Sequence, residues 1–498
     1  MSIRLQRKTW NRVVAGTAAL VCSLTIAGCT TPEEGGASGS ELGVALPFKP
    51  VASLSPFSDD SVLNTRMGVA ETLVTLDKEG KPTPWLAESW ETVGDDTVVF
   101  KLRKDVKFHD GSAFNGEAVA NSLQQAFQAA SRPKGLGKVD LEFKATGEHE
   151  VTVKAAKADP ILVQRFTDTG TVILSSAAYK GEAPSPKGTG TGPFELTDVN
   201  ATEAKAKAFA DYWGGTPKLE QLKVQFIEDG SARANAVRTA EVNLAQAVPL
   251  AQLGELSELE NQSTLLPRGV YLHLNSKKGA FTDPKMRAAA VDAIKSDVIV
   301  EKIYEGHADK ATGSIFNADA TWAKDAKSAN STDGKAEANN KEIRLATWNE
   351  RPELPEVASV IADQLRSAGF KVDVVVTDYD SLEQDLLEGK FDAVIASRNY
   401  QFGAADPVNF LSSDYTCEGS YNLSLYCNAE VDAAVDKALS IADTDKRYAE
   451  AANIGAMIVK DNAVVPLAFE HSMLSYKDVN SLNFDPFERR LITNETTR

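Results

Sequence analysis

Between Ile343 and Ala396 the apolar pattern changes period repeatedly. Ile343 and Leu345 alternate as in a strand; Val357, Ile361 and Leu365 then fall on one helical face, which Gly369 ends. Phe370, Val372, Val374 and Val376 alternate again, Ser381 can cap a short helix holding Leu382 and Leu386, and Phe391 to Ala396 is apolar once more. The order β-α-β-α-β restricts the fold severely. Strands joined through helices run parallel with right-handed crossovers, and such sheets bind ligands beyond their carboxyl ends.

The same block begins with Asp283 capping a helix that has Pro284 at its first position and Met286, Ala290 and Ile294 along one face. It ends with a helix bearing Val431, Val435 and Leu439, another capped by Thr444, and a last strand over Val464 to Phe469. The preceding stretch, from about residue 42 to 267, mixes short strands and helices. A strand is expected near Gly43 to Leu46. Thr97 to Arg103 alternates with Val98, Phe100 and Leu102 inward, between an Asp95-Asp96 turn and a turn at His109-Asp110-Gly111. Asn115 can cap a helix carrying Val119, Leu123 and Phe127; Val151 to Lys154 alternates, and Asp229 or Ser231 can start a further helix. A chain of 498 residues has room for two or three such cores.

The amino terminus is of another kind. Arg4, Arg7, Lys8 and Arg12 precede a short apolar run, Val13 to Ile26, too brief for a comfortable membrane span. Ile26-Ala27-Gly28-Cys29 places small side chains before a thiol and resembles the bacterial lipobox. The expectation is a signal peptide over 1–28, lipid on Cys29 and a flexible tether over 29–41, with a reach of roughly 20 Å.

One stretch has wider meaning. WLAESWETVGDDTVVFKLRKDVKFHDG, from Trp85 to Gly111, followed by an amphipathic helix, resembles the signature of family 5 solute-binding proteins, the extracytoplasmic receptors of ATP-driven peptide and nickel importers. KGTGTGPF (Lys187 to Phe194), Tyr212-Trp213, Leu219 to Phe226 and Val270 to Gly306 resemble later segments of that family. The resemblance implies an α/β, two-lobed periplasmic-binding-protein-like fold of type II. Lobe I, with an inserted subdomain, would span 42–267 and be completed by 471–498; lobe II would span 268–470, with a hinge between them. It also implies a monomeric lipoprotein on the outer face of the cytoplasmic membrane. That protein would deliver peptides, or a similar small solute, to the permease subunits of an ABC importer. A nickel-chelate or metallophore receptor of the same family is the alternative, and a secreted hydrolase a more distant one.

Two strand ends offer ligand contacts. One is Thr347 to Glu350, with Trp348 and Asn349; the other is Ser397 to Phe402, with Arg398, Asn399, Tyr400 and Phe402. A guanidinium, amides and aromatic rings suit a partly apolar carboxylate. Alternatively, Tyr400 and Phe402 belong to the core and Arg398 pairs with a neighbouring acid. Dipeptide and oligopeptide receptors of the family usually carry an Asp in this loop for the peptide's amino terminus. Here no acid lies between Asp392 and Asp406, and Asp406-Pro407 matches a structural turn of the family. Nickel-chelate receptors have an aromatic residue near Tyr400, which this chain shares. They also have an Arg near 167–178 and a His after the D-P turn, which it lacks.

Other chemistries find little support. A net charge of -17 disfavours nucleic acid, whose phosphates require clustered Lys and Arg. The five histidines, His109, His149, His273, His307 and His471, form no H-x-H or H-E-x-x-H pair, and no G-x-S-x-G elbow is present. No catalytic set, metal site or cofactor is expected. With Cys22 in the leader and Cys29 lipidated, Cys417 and Cys427 remain, and an oxidising exterior favours a disulfide between them.

Overall fold

The computed structural model describes residues 41–498, apart from 138, 327, 350, 352 and 402. The leader, Cys29 and nearly all of the expected tether lie outside the described residues, as does Phe402.

The β-α-β-α-β segment folds as its pattern dictates. Glu342–Trp348 pairs in parallel with Lys371–Thr377 on one side and with Ala393–Asn399 on the other. The helix Glu353–Ser367 buries Leu354, Val357, Ile361 and Leu365 against these strands, and Gly369 follows in the left-handed region (φ 93°) that a Cβ disfavours. Lys371–Thr377 is the edge of the sheet, which leaves Val376 42% exposed. Two caps sit earlier than expected. Asp378, not Ser381, caps Tyr379–Leu387, accepting the Ser381 N–H; Asp443, not Thr444, caps Thr444–Lys460, accepting from Lys446. In each case a carboxylate nearer the helix start outcompetes the hydroxyl.

The parallel strands are one end of an 11-stranded mixed sheet. After Ala393–Asn399 it continues through Glu260–Leu274, Val464–Tyr476, Leu244–Gln246, Glu41–Leu46, Gln221–Phe226, Glu203–Ala208 and Phe194–Val199. The short strand Ala308–Lys310 pairs with Val464–Tyr476 off this path. Two long antiparallel strands, Glu260–Leu274 and Val464–Tyr476, join the halves, and they are bonded to each other along almost their whole length. Their register shifts between Leu265 and Gly269. Pro267 sits in that bulge, where its missing N–H costs no ladder bond. The freed carbonyls are satisfied: Leu266 accepts from Asn317 Nδ2 at 2.8 Å and Pro267 from the Tyr400 N–H at 3.1 Å.

A separate four-stranded sheet, Ala87–Val93, Thr97–Leu102, Glu150–Ala155 and Leu141–Gly147, packs on the helix Gly116–Gln128, capped by Asn115. Its core contains Val98, Phe100, Leu102, Val119, Leu123 and Phe166. The turn at Asp406-Pro407 is held by a buried two-point pair, Arg447 Nε and Nη2 reaching the Asp406 carboxylate at 2.7 and 2.8 Å. Cys417 and Cys427 are joined by a disulfide. Among the described residues no helix is long and apolar enough to cross a membrane.

Candidate functional site

Three parallel strands end side by side at Trp348, Thr377 and Asn399. The third runs further than its apolar run predicts, so Ser397, Arg398 and Asn399 still obey strand alternation rather than forming a loop. Arg398 lies opposite Gly269, on the face shared by Ala396 and Tyr271. Ser397 and Asn399 lie opposite Val270 and Arg268, on the other face. Residues that read as one recognition loop are therefore split between two environments.

On the first face Arg398 is committed to protein. Its Nε and Nη2 donate to the two oxygens of Asp414 at 2.7 and 3.0 Å, and its guanidinium lies 3.9 Å over the Tyr421 ring. The Asp414 side chain is 1% exposed. Burial works against the Arg398 charge, but the Asp414 carboxylate outweighs it and holds the guanidinium above its ordinary value. Tyr400 is 3% exposed, packed among Phe316, Trp322 and Phe410, and donates its hydroxyl to Asn317 Oδ1 at 2.7 Å. Asn399 Oδ1 accepts the Gln401 N–H at 2.8 Å and so closes the turn after the strand. The sequence alternative of a core tyrosine and an acid-paired arginine describes these contacts.

The second face carries a larger polar network. Ser397 Oγ donates to Glu470 Oε2 at 2.7 Å, and the Tyr304 hydroxyl to Oε1 at 3.3 Å. Arg268 stands between two acids, with Nε 3.8 Å from Glu470 and Nη2 3.1 Å from Glu488. Glu488 also accepts from Gln246 Nε2 at 3.0 Å and Ser472 Oγ at 3.1 Å. Arg66 donates to the Glu488 backbone carbonyl at 2.8 Å and to Gln246 Oε1 at 3.1 Å. Burial alone would raise the Glu488 carboxyl; Arg268 and Arg66 prevail and keep it below the usual range.

Arg351 differs from these arginines. Its Nη1 approaches Glu470 at 3.6 Å, and among the described residues its five N–H donors make no hydrogen bond. The side chain is 36% exposed. The neighbouring Arg268 charge, then burial, lowers its pKa, so a further anion there would relieve repulsion. Glu353 is close by, and burial pushes its carboxyl up, weakening it as a competing counter-charge.

Trp348 packs edge-on against Tyr379 at 5.2 Å, and Asn349 is exposed, its backbone N–H bonded to the Thr377 carbonyl at 3.2 Å. Sequence reasoning missed Arg268, Arg351, Glu470 and Glu488. The available signal was a charge next to each apolar run: Arg351 lies one residue past the strand end at Thr347 to Glu350, and Glu470 one past Phe469.

Comparison with known proteins converges on one family. Residues 81–422 match the bacterial extracellular solute-binding proteins, family 5. The nickel-binding protein NikA of Staphylococcus aureus is 26% identical over 477 residues, 91% of each chain. The glutathione-binding protein GsiB of Escherichia coli K12 is 28% identical over 451 residues, 84% of this chain and 87% of that one. A dipeptide-binding protein from Pseudoalteromonas sp. SM9913, solved with Met-Leu, superposes with a TM-score of 0.74 at 21% identity, covering 92% of this chain and 99% of the other. NikA of S. aureus, solved with Ni(L-His)2, gives a TM-score of 0.74 at 24% identity, covering 92% and 100%. Both solved neighbours share the two-lobed α/β architecture. The chain accordingly belongs to the bacterial extracellular solute-binding proteins, family 5, the non-enzymatic substrate-binding components of ABC importers.

Proposed function

We propose that this receptor captures a small carboxylate-bearing solute between its lobes and presents it to an ABC permease. The observation that carries this reading is Arg351. It is a partly exposed guanidinium just past the carboxyl end of a parallel strand, 3.6 Å from Glu470 and with no hydrogen bond among the described residues, near arginines that do donate hydrogen bonds to protein groups. Planar guanidinium donors match a carboxylate at two points. Arg398, with Asp414 already on it, shapes the site rather than binding the charge.

Peptides and amino-acid chelates of nickel both present such a carboxylate, and relatives named for nickel, glutathione and dipeptide binding fit within that class. Peptide is the first choice; the nickel chelate is the alternative. Lobe I over 42–267 with 471–498 and lobe II over 268–470 close about the paired long strands. The protein works as a monomer, anchored through lipid on Cys29 to the outer face of the cytoplasmic membrane. Trp348 and Asn349 flank the bound group.

Native mass spectrometry of purified protein, followed by calorimetry, tests this. Di- and tripeptide pools with free C-terminal carboxylates should bind wild type, the amidated pools at least tenfold more weakly, and Arg351→Gln should lose the difference. If nickel with L-histidine binds instead, the same loss in Arg351→Gln is expected. Wild-type affinity in Arg351→Gln for every probe would overturn the carboxylate assignment.

A further inference from the structure

Around Trp85 and Trp213 the structure gathers arginines without acids. Arg103 Nε donates to the Trp85 carbonyl at 2.6 Å, and its guanidinium lies 4.1 Å over the Trp213 ring. Arg490 lies 3.9 Å over the Trp85 ring. Arg489 donates to the Thr167 carbonyl at 2.6 Å and the Gln401 carbonyl at 3.3 Å. Among the described residues none of these three arginines forms an ion pair, in a chain whose formal net charge is -17. Arg490 is half-buried, and its side chain makes no hydrogen bond among the described residues.

The turn before Arg489 and Arg490 occupies the acids that could have paired with them. Asp485 spends its carboxylate on backbone, accepting the Phe487 N–H at 2.9 Å and the Arg489 and Arg490 N–H groups at 3.0 Å each. Glu488 takes the left-handed backbone region (φ 53°), a strain for a residue with a Cβ, and its carboxylate goes to Arg268, Gln246 and Ser472.

Arg489 and Arg490 line one cavity together with Glu71, Thr72, Thr75 and Trp85; it encloses about 490 Å³, the open solvent at its mouth included. Glu71 is the only acid on its walls. That carboxylate already accepts from Trp85 Nε1 at 3.0 Å, the Tyr212 hydroxyl at 2.8 Å and Trp213 Nε1 at 3.1 Å, and burial pushes its carboxyl up. It is therefore a weak competitor for Arg490. Trp85 takes the face of the Arg490 guanidinium, whereas an oxyanion takes the N–H groups at its edge, so the two contacts are compatible. Neither Arg351 nor Glu470 lines this cavity.

We infer that this cavity is a binding site for a small oxyanion, such as phosphate, sulfate or a carboxylate, held by the fork of Arg490 in the field of Arg489. It is separate from the solute site proposed at Arg351.

Titration of phosphate, sulfate and acetate into the purified mature protein, at an ionic strength held constant with sodium chloride, tests this. Tryptophan fluorescence and melting temperature are read together. At least one of the three anions should give a saturable fluorescence change and a rise in melting temperature; which one does so separates a tetrahedral anion from a carboxylate. Arg490→Gln should abolish both responses. Arg490→Lys, which keeps the charge and loses the fork, should weaken the anion roughly tenfold. Arg351→Gln should leave both responses as in wild type. No saturable response in wild type, the same response in Arg490→Gln, or a response lost in Arg351→Gln overturns the inference. Should Arg490→Gln lose its fold, Arg490→Lys decides alone, and undiminished affinity there overturns it.

Discussion

Arg398 grips Asp414 at two points, linking the last parallel strand to the helix Pro407–Tyr415 through a carboxylate that water barely reaches. Removing one partner leaves the other buried without its counter-charge. Arg398→Ala should therefore cost about 3–5 kcal/mol in urea unfolding, and Asp414→Ala a similar amount. The double change Arg398→Met with Asp414→Leu should recover most of the loss. A single-variant cost under about 1 kcal/mol would mark the pair as an ordinary surface contact.

His273 gives a second test. It is 1% exposed, near-parallel to the Tyr415 ring at 6.1 Å, and neither ring nitrogen has a hydrogen-bond partner among the described residues. Burial, assisted by the Arg398 charge, lowers its pKa to about 3. The unfolded chain takes up this proton near pH 6.5, and the folded chain does not. Stability from a neutral His273 is thus complete above pH 6.5 and lost as pH falls toward 3, by up to about 1.4 kcal/mol per pH unit. His273→Phe should flatten that part of the stability–pH curve.

The disulfide carries a separate expectation. Cys417 and Cys427 enclose a short loop whose ordering would otherwise fall on its own hydrogen bonds. Replacing both with Ala should cost roughly 2–3 kcal/mol by loop-closure entropy. Thiol titration of denatured, unreduced mature protein should find neither cysteine free.

Anchoring is checked at Cys29. The mature protein should begin at this residue and carry lipid. Cys29→Ser should leave unlipidated precursor by mass spectrometry and release protein from membranes. A wild-type mature terminus elsewhere, without lipid, would contradict the anchor.

Much of the second half of the fold was legible, because helix and strand periods alternate cleanly from Ile343 to Ala396 and each element reports its buried face. The first half was less so: its short strands, such as Leu244–Gln246, pair with partners far away in sequence, and pairing leaves no local trace. The site was half legible. The three strand ends do lie together, but the third strand ended later than its apolar run. Alternation then sent Arg398 and Ser397 to opposite faces. Arg268, Glu470 and Glu488 come together from three distant segments, a meeting that no spacing announces.

The paired long strands between the halves bear on what a permease can sense. Strands bonded to each other can twist together, but slipping by one residue would turn every side chain to the wrong face. Such a joint resembles an indexed key, whose alignment is fixed by its teeth whatever its angle. Arg268 and Glu470, one on each of these strands, are tied to each other by that register.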